Sequence, residues 1–246
     1  MGTKEIVQAA LAAGRTNLSQ GECRRILGAA GVPLNASAFA ATRAEAVAAG
    51  DRIGYPVVLK VVSDQIVHKT EAGGVCLGVR GPDELARAFD DMMATVRTKA
   101  PGAVVDGVQV DEQLGGVELI VGATRDAQFG PMVMFGLGGI FVEVYKDVTF
   151  RLVPIAPADA HDMIEEVRGK AIFQGARAHP RADRGALAAV LVAVSSLVER
   201  NPEIRELDIN PLVVTPKGLR GLDARILLTA PAAPTAAAAP AAAAAL

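Results

Sequence analysis

The chain has 246 residues with 51% hydrophobic and 4% aromatic content, and its formal net charge is −2. A chain of this length can bury a large core and form one or two domains. The near-neutral charge and the scarcity of aromatic residues argue against nucleic-acid binding and against a membrane surface as partner.

The first predicted helix begins at a capping box, with Ser19 as the cap and Glu22 three residues later, and it ends near Gly31. Thr42 caps a second helix. The remaining elements are predicted as strands at 55–62, 75–79, 104–110, 118–123, 131–135 and 140–144, helices at 82–99, 158–167 and 184–200, and a closing hairpin at 204–215 and 219–227. Because helices and strands intermix without strict βαβ alternation, the sequence predicts a mixed α/β fold of α+β type with antiparallel pairs.

Two further features bear on cellular location. Cys23 and Cys76 lie far apart without metal-ligand spacing, which predicts reduced thiols. The N-terminus lacks the pattern of a signal peptide, and the longest apolar run is too short to span a bilayer. We therefore expect a cytoplasmic protein.

Lys60 is the most informative residue of the first half. It lies in the β-branched run 55–62, on the strand face that also carries Val58 and Val62. An ammonium group on an apolar face is costly unless an anion is near, and a glycine-containing loop at 64–74 follows at once. Glycine-rich backbone beside a cation is typical of phosphate sites. The alternative is that Lys60 pairs with a structural carboxylate or extends to the strand end.

A second polar cluster lies in the closing hairpin. Residues 206–214 alternate, so that Asp208 and Asn210 share one face. The turn signal that follows sets a register in which Asn210 lies opposite Asp223 and Asp208 lies opposite Arg225. Oxygen ligands on adjacent strands suit Mg²⁺. The alternative is a solvent-exposed hairpin face with an ordinary cross-strand ion pair.

Taken in chain order, several segments together resemble a known family. These are residues 57–60, 68–75, 118–122, 136–140 and 206–211, with Asp223. They resemble the nucleotide-binding β subunit of NDP-forming acyl-CoA synthetases, particularly the ADP-forming acetyl-CoA synthetases, which are related to succinyl-CoA synthetase. The resemblance covers about residues 17–228.

The resemblance implies an ATP-grasp fold, in which two α+β subdomains clamp ATP. The expected organisation is an N-terminal segment at 1–16, a smaller subdomain with the phosphate loop at 17–112 and a larger subdomain with the metal hairpin at 113–228. The Ala- and Pro-rich stretch at 229–246 is expected to be a disordered tail.

The family pattern also implies residue roles. Asn210 and Asp223 would hold Mg²⁺, with Asp208 beside them. Glu118 would accept hydrogen bonds from the ribose hydroxyls, and the alternative is that it is an exposed charge at the edge of a sheet. The residues that would contact the phosphates, adenine or ribose of ATP or ADP are Lys60, Thr70, Gly73, Gly74, Asp111, Glu112, Leu114 and Glu118.

The resemblance implies that His68 is a phosphoryl carrier, because the matching histidine has that role in the ADP-forming enzymes that this chain resembles. An imidazole with a pKa near neutrality is an adequate nucleophile, and the loop that holds His68 can be mobile. The alternative is a loop histidine that only binds phosphate or solvent, and His161 and His179 are expected at the surface. Arg151 could stabilise a transferring phosphoryl group or form an exposed salt bridge.

The glycine cluster at 136–139 is followed by a predicted strand, so it is not a dinucleotide fingerprint. It is either a tight turn approached by a phosphorylated loop or a plain hairpin turn.

The resulting hypothesis is the β subunit of an ADP-forming acyl-CoA synthetase, an acid–thiol ligase that converts acyl-CoA, ADP and phosphate to carboxylate, CoA and ATP. Because the sequence shows no CoA-binding domain, a CoA-binding α subunit is the expected partner. A stand-alone ATP-grasp carboxylate–amine ligase and a non-catalytic nucleotide-binding subunit are the alternatives.

Overall fold

The computed structural model describes residues 2–63, 65–66, 68–139, 146–176 and 180–229, which contain six α-helices and ten β-strands. The helices are α1 (Thr3–Ala12), α2 (Gln20–Ala29), α3 (Arg43–Ile53), α4 (Pro82–Lys99), α5 (Pro157–Glu166) and α6 (Arg184–Arg200). The strands are β1 (Ser37–Ala40), β2 (Val57–Val62), β3 (Val75–Val79), β4 (Gly107–Glu112), β5 (Val117–Asp126), β6 (Gly130–Leu137), β7 (Val148–Leu152), β8 (Ile204–Thr215), β9 (Gly218–Gly221) and β10 (Ala224–Leu228). The predicted mixed α/β class with antiparallel pairs is confirmed.

The strands form two separate sheets. The smaller sheet has four strands in the order β1-β4-β2-β3, and the larger has six, with β10-β8-β5-β6-β7 in a row and β9 beside β8. Along β2, Val57, Leu59 and Val61 are fully buried in a core shared with α3 and α4. The alternating residues therefore face the other way, which places Lys60 on the opposite face of the smaller sheet.

Helices α1 and α2 pack on the larger sheet rather than the smaller one. Ile6 of α1 and Ile26 of α2 are buried in the same core as α5, α6 and the larger sheet. The predicted boundary at residue 17 placed α2 in the smaller subdomain, so the structure corrects it. A capping box marks where a helix begins and carries no information about which sheet the helix covers. Among the described residues, those between 37 and 112 form the smaller subdomain, and those in 2–36 and between 113 and 229 form the larger one.

Asn35 lies where the chain crosses between the sheets, and only 3% of it is exposed. Its backbone N–H donates to Gly221 O over 3.2 Å, and its Nδ2 donates to Glu112 O over 3.3 Å. Arg24 Nη1 of α2 donates to Asn35 Oδ1 over 2.9 Å. These bonds tie β4 of the smaller sheet to β9 and α2 of the larger subdomain, which fixes the edges of the space between the sheets.

The structure tests several further predictions made from the sequence. Both capping boxes are present, with Ser19 and Glu22 at α2 and Thr42 and Glu45 at α3. Both cysteines are free thiols, and burial raises the pKa of Cys23 to about 12. Within the described ranges, no helix has the length and apolar character needed to cross a membrane. The strand predicted at 140–144 and the tail beyond residue 229 lie outside the described residues.

Candidate functional site

A cleft of about 890 Å³ lies between the two sheets. Its walls come from the start of α2, from β2 and the loop that follows it, from β4, and from the hairpin formed by β8 and β10. Residues distant in sequence therefore meet in one space. The predicted site residues that line the cleft are Lys60, His68, Thr70, Asp111, Asp208, Asn210 and Asp223.

Lys60 meets a carboxylate in the cleft. Its Nζ lies 3.0 Å from Asp111 Oδ2, and the two side chains are 22% and 4% exposed. Asp111 Oδ2 is buried, and its contact with Lys60 is an ion pair that lacks the geometry of a hydrogen bond. The other carboxylate oxygen, Asp111 Oδ1, accepts a hydrogen bond from Ser37 Oγ. The structural-carboxylate alternative for Lys60 is thus present in the structure. Since Lys60 still lines the cleft, Asp111 holds its ammonium group in a position where a phosphate could also reach it.

The loop after β2 is a compact turn. Gly73 N–H donates to Thr70 O over 3.0 Å, and Gly74 N–H donates to Lys69 O over 2.7 Å. These two amides are therefore occupied within the loop and do not point at a ligand, which differs from the phosphate contacts expected of Gly73 and Gly74. A Cβ on Gly74 would clash with Val61 Cγ1, so the glycine is needed where the loop returns against β2. His68 is exposed at the cleft wall.

The closing hairpin has the predicted register. Asp208 pairs with Arg225 across β8 and β10, and Asn210 N–H donates to Asp223 O over 3.2 Å. Asp223 Oδ1 accepts hydrogen bonds from Gln20 Nε2 over 2.7 Å and from Ala224 N–H over 2.8 Å. In the described part of the chain, Asp223 Oδ2 receives no hydrogen bond and is left for another ligand.

These hairpin residues suit a hard divalent cation. The described residues contain no group of three or more His, Cys, Asp or Glu side chains arranged to hold a metal. Mg²⁺ needs no such cage, because it binds through one or two carboxylates and keeps water and phosphate as its other ligands. Asp223 Oδ2 and the side-chain oxygen of Asn210 are donors of this type, so the residues fit Mg²⁺ bound together with nucleotide phosphates.

Asp208 differs electrostatically from its neighbours. Burial raises its pKa to about 6, the negative charges of Glu206 and Asp223 add to the rise, and Arg225 opposes it. On the adjacent strand Asp208 faces Gly122, where a Cβ would lie 3.9 Å from Asp208 Oδ1. Near neutral pH, Asp208 is therefore charged at a free-energy cost to the unliganded protein.

We expect Asp208→Asn to stabilise the metal-free protein above pH 6. The folded-state pKa of Asp208 is about 6 against an ordinary value of 3.8, so the native state binds more protons than the unfolded state between these values. Stability then falls as pH rises through this window. We expect the variant to gain on the order of 1 kcal/mol in unfolding free energy at pH 7.5, after discounting for solvent screening. Urea denaturation at pH 7.5 and at pH 4 measures this gain in stability, which should vanish at pH 4. An equal gain at both pH values would contradict the raised pKa of Asp208.

Six predicted residues lie outside the lining of the cleft as the described residues define it, namely Gly73, Gly74, Glu112, Leu114, Glu118 and Arg151. Glu112 N–H donates to Ala36 O, and its carbonyl accepts from Asn35 Nδ2, so these groups already have protein partners. Glu118 is exposed, and it shares a face of β5 with Gly122, toward Asp208.

Arg151 forms a salt bridge, the second of its two expected roles, and it lies outside the lining of the cleft. Arg151 lies on β7, which ends the row of strands formed by the described residues, and its Nη2 is 2.5 Å from Glu166 Oε1 of α5. The neighbouring Thr149 is buried and donates to Met163 O of α5 over 3.2 Å, so this side of β7 faces the helices. His161 is partly exposed on α5, and His179 lies outside the described residues.

Sequence reasoning missed Gln20, Gln109 and Lys69, which also line the cleft, and treated Arg225 only as an ion-pair partner. Gln109 lies on β4 directly opposite Lys60 of β2, and its Nε2 donates to Ser37 Oγ. Alternation along β4 could have revealed Gln109. No local signal points to Gln20, because its partner Asp223 is 203 residues away.

Comparison with known proteins identifies relatives along almost the whole chain. The sequence profile of the ATP-grasp domain matches residues 9–228. The β subunit of acetate–CoA ligase [ADP-forming] I from Pyrococcus furiosus is 43% identical over 92% of this chain and 97% of that protein. Acetate–CoA ligase [ADP-forming] I from Archaeoglobus fulgidus is 48% identical over 72% of this chain, and this match spans only 26% of that longer protein.

The fold also matches solved structures. The acetyl-coenzyme A synthetase 1 of Ca. Korarchaeum cryptofilum, solved with coenzyme A and Ca-AMPCP, superposes with a TM-score of 0.88 at 39% identity, over 93% of this chain and 100% of the matched chain. A second structure of that enzyme holds coenzyme A and Mg-AMPPCP, and its phosphohistidine segment points towards the nucleotide binding site. This structure matches with a TM-score of 0.81 at 37% identity, over 93% of this chain and 100% of the matched chain.

Proposed function

Since this chain belongs to the ATP-grasp family and, within it, to the β subunits of ADP-forming acetate–CoA ligases, we propose that it binds ATP or ADP in the cleft between its two sheets and exchanges a phosphoryl group between the nucleotide and His68. The observation that carries this proposal is the convergence of Lys60, His68 and the Asp208–Asp223 hairpin on one cleft. Solved relatives with nucleotide analogues and a divalent cation support it.

Phosphoryl transfer depends mainly on positioning and on charge balance, and little on covalent chemistry by the protein. In the proposed step the unprotonated imidazole nitrogen of His68 attacks the γ-phosphorus of ATP. The P–N bond forms as the bond to the bridging oxygen of ADP breaks, and the electron pair stays on ADP. The reverse step regenerates ATP.

The cleft residues divide this work between them. Lys60 offers a positive charge to the phosphates, and the loop after β2 presents His68 to the same space. Asn210 and Asp223 would hold Mg²⁺, which when bound offsets phosphate charge. Glu118 is proposed to contact the ribose and Asp111–Leu114 to lie beside adenine.

We propose that a CoA-binding α subunit completes the enzyme. Relatives that this chain covers almost entirely are named β subunits, and the Archaeoglobus relative is a much longer single chain. The complete reaction would be acyl-CoA, ADP and phosphate to carboxylate, CoA and ATP, in the cytoplasm.

Purification of the chain together with its partner tests this proposal. The chain purified with its partner from the native host should form ATP from acetyl-CoA or another acyl-CoA, ADP and phosphate, measured by a coupled luminescence assay. The chain alone should bind Mg·ADP and form no ATP from these substrates. Amide formation from a carboxylate and an amine by the chain alone would contradict the proposal, and so would nucleotide binding without phosphoryl transfer in an assembled complex.

A further inference from the structure

Gln20 reaches the hairpin that carries the candidate metal ligands. It is the first residue of α2, and its Nε2 donates to Asp223 Oδ1 over 2.7 Å across 203 residues of sequence. Both side chains line the cleft. The start of α2 thus contacts the side chain on which a cation would depend.

The contact fixes which oxygen of Asp223 is available. Oδ1 accepts from Gln20 and from Ala224 N–H, whereas Oδ2 accepts nothing within the described ranges. The carbonyl of Asp223 is held in turn by Asn210 N–H. A carboxylate held at one oxygen has its plane and rotamer set, so its other oxygen is presented in a fixed direction.

Gln20 is itself firmly placed. The preceding residue, Ser19, caps α2 and exchanges hydrogen bonds with Glu22. One turn and two turns further on, Cys23 and Leu27 are fully buried in the core of the larger subdomain. The donor therefore comes from a rigid helix end and not from a loop.

The chemical type of the residue also matters. A glutamine amide donates a hydrogen bond without carrying charge, so it orients Asp223 and leaves the carboxylate's negative charge for a cation. A lysine at this position would neutralise that charge, and a glutamate would have no N–H to donate.

We propose that Gln20 is a positioning residue that orients Asp223 for binding a divalent cation together with nucleotide phosphates. This inference rests on the proposed function, because it takes Asp223 as a metal ligand. Carboxylate ligands of metals are themselves hydrogen-bonded, and loss of such a partner typically lowers metal affinity about 10–100-fold.

The test measures Mn²⁺ binding in the full chain by electron paramagnetic resonance, with ADP present and absent. We expect Gln20→Met, which keeps the side-chain length and removes the donor, to weaken Mn²⁺ binding in the presence of ADP about 10–100-fold. Binding of metal-free ADP should change less than about twofold, since Gln20 acts on the metal ligand alone. A thermal melt of each variant confirms that the fold is retained.

Gln8→Met is the matched control. Gln8 of α1 makes the same kind of bond, from Nε2 to Glu203 Oε1 over 3.1 Å, at an exposed site outside the cleft lining. It should leave Mn²⁺ binding unchanged. Equal Mn²⁺ affinity in wild type and Gln20→Met would overturn this inference alone. If the wild-type chain fails to bind Mn²⁺ with ADP, the proposed function falls and this inference falls with it.

Discussion

His68→Asn is expected to abolish the phosphate label that this chain acquires from Mg·ATP. If His68 carries the phosphoryl group, the wild-type chain incubated with radiolabelled ATP becomes phosphorylated in an acid-labile and base-stable form, as phosphoimidazoles are. Asparagine retains polarity and approximate size but offers no nucleophilic nitrogen. Labelling should therefore fall to background while ATP binding stays within about threefold, because Lys60 and the hairpin remain.

The matched control is His161→Asn. His161 lies on α5, outside the lining of the cleft, so its replacement should leave the label intact. Persistence of label in His68→Asn would place the carrier on another residue. If neither the wild-type chain nor its variants are labelled while the complete complex turns over, His68 is only a phosphate contact.

Lys60→Met should lower nucleotide-dependent transfer by roughly 10²–10³, the typical effect of removing one donor from a developing charge. It should also destabilise the fold by roughly 2–4 kcal/mol, because Asp111 is left buried without its cation. We place this below the usual cost of breaking a buried pair because the Lys60 side chain is 22% exposed. Rapid-quench measurement of His68 phosphorylation reports the first effect, and urea denaturation reports the second.

A second variant separates the two effects. Lys60→Met with Asp111→Asn removes both charges of the pair, so most of the lost stability should return, while transfer should remain as low as in the single variant. Recovery of transfer in the double variant would show that Lys60 serves the fold and not the phosphates. Undiminished transfer in the single variant would remove Lys60 from the site.

The hairpin shows how far local sequence can reach. Its turn residues and alternating pattern fix the pairing of Asp208 with Arg225, because side-chain direction in a strand alternates and a tight turn sets the register. Lys60 was identified for a similar reason, since a charge in a β-branched run needs a partner. The resemblance then connected these segments to one nucleotide site.

The remaining parts of the site depend on tertiary structure. The family pattern places Asp111 beside adenine, but no local pattern shows that its side chain is also the partner of Lys60, a pairing made by the adjacency of β2 and β4. The glycine pair Gly73 and Gly74 suggested free amides, whereas the loop uses both amides internally. The contact between Gln20 and Asp223 joins the two ends of the larger subdomain, and no local pattern encodes it.

The division of the larger subdomain into two stretches of chain has a consequence for synthesis on the ribosome. Ala36 and Glu112 lie side by side, with Glu112 N–H donating to Ala36 O over 2.8 Å, so the smaller subdomain leaves and rejoins its host at one point. All of its strands have been made before β5 begins, and it can fold while synthesis continues.

Helices α1 and α2 precede every strand of the larger sheet along the chain, and that sheet is completed only with β10, where Leu227 bridges to Asn17. Ile6 and Ile26 are buried in the core on this sheet, so their burial is complete only after β5 to β10 have been made. We therefore expect the apolar faces of both helices to be accessible to chaperones and to other nascent chains until the strands of the larger sheet have been synthesised.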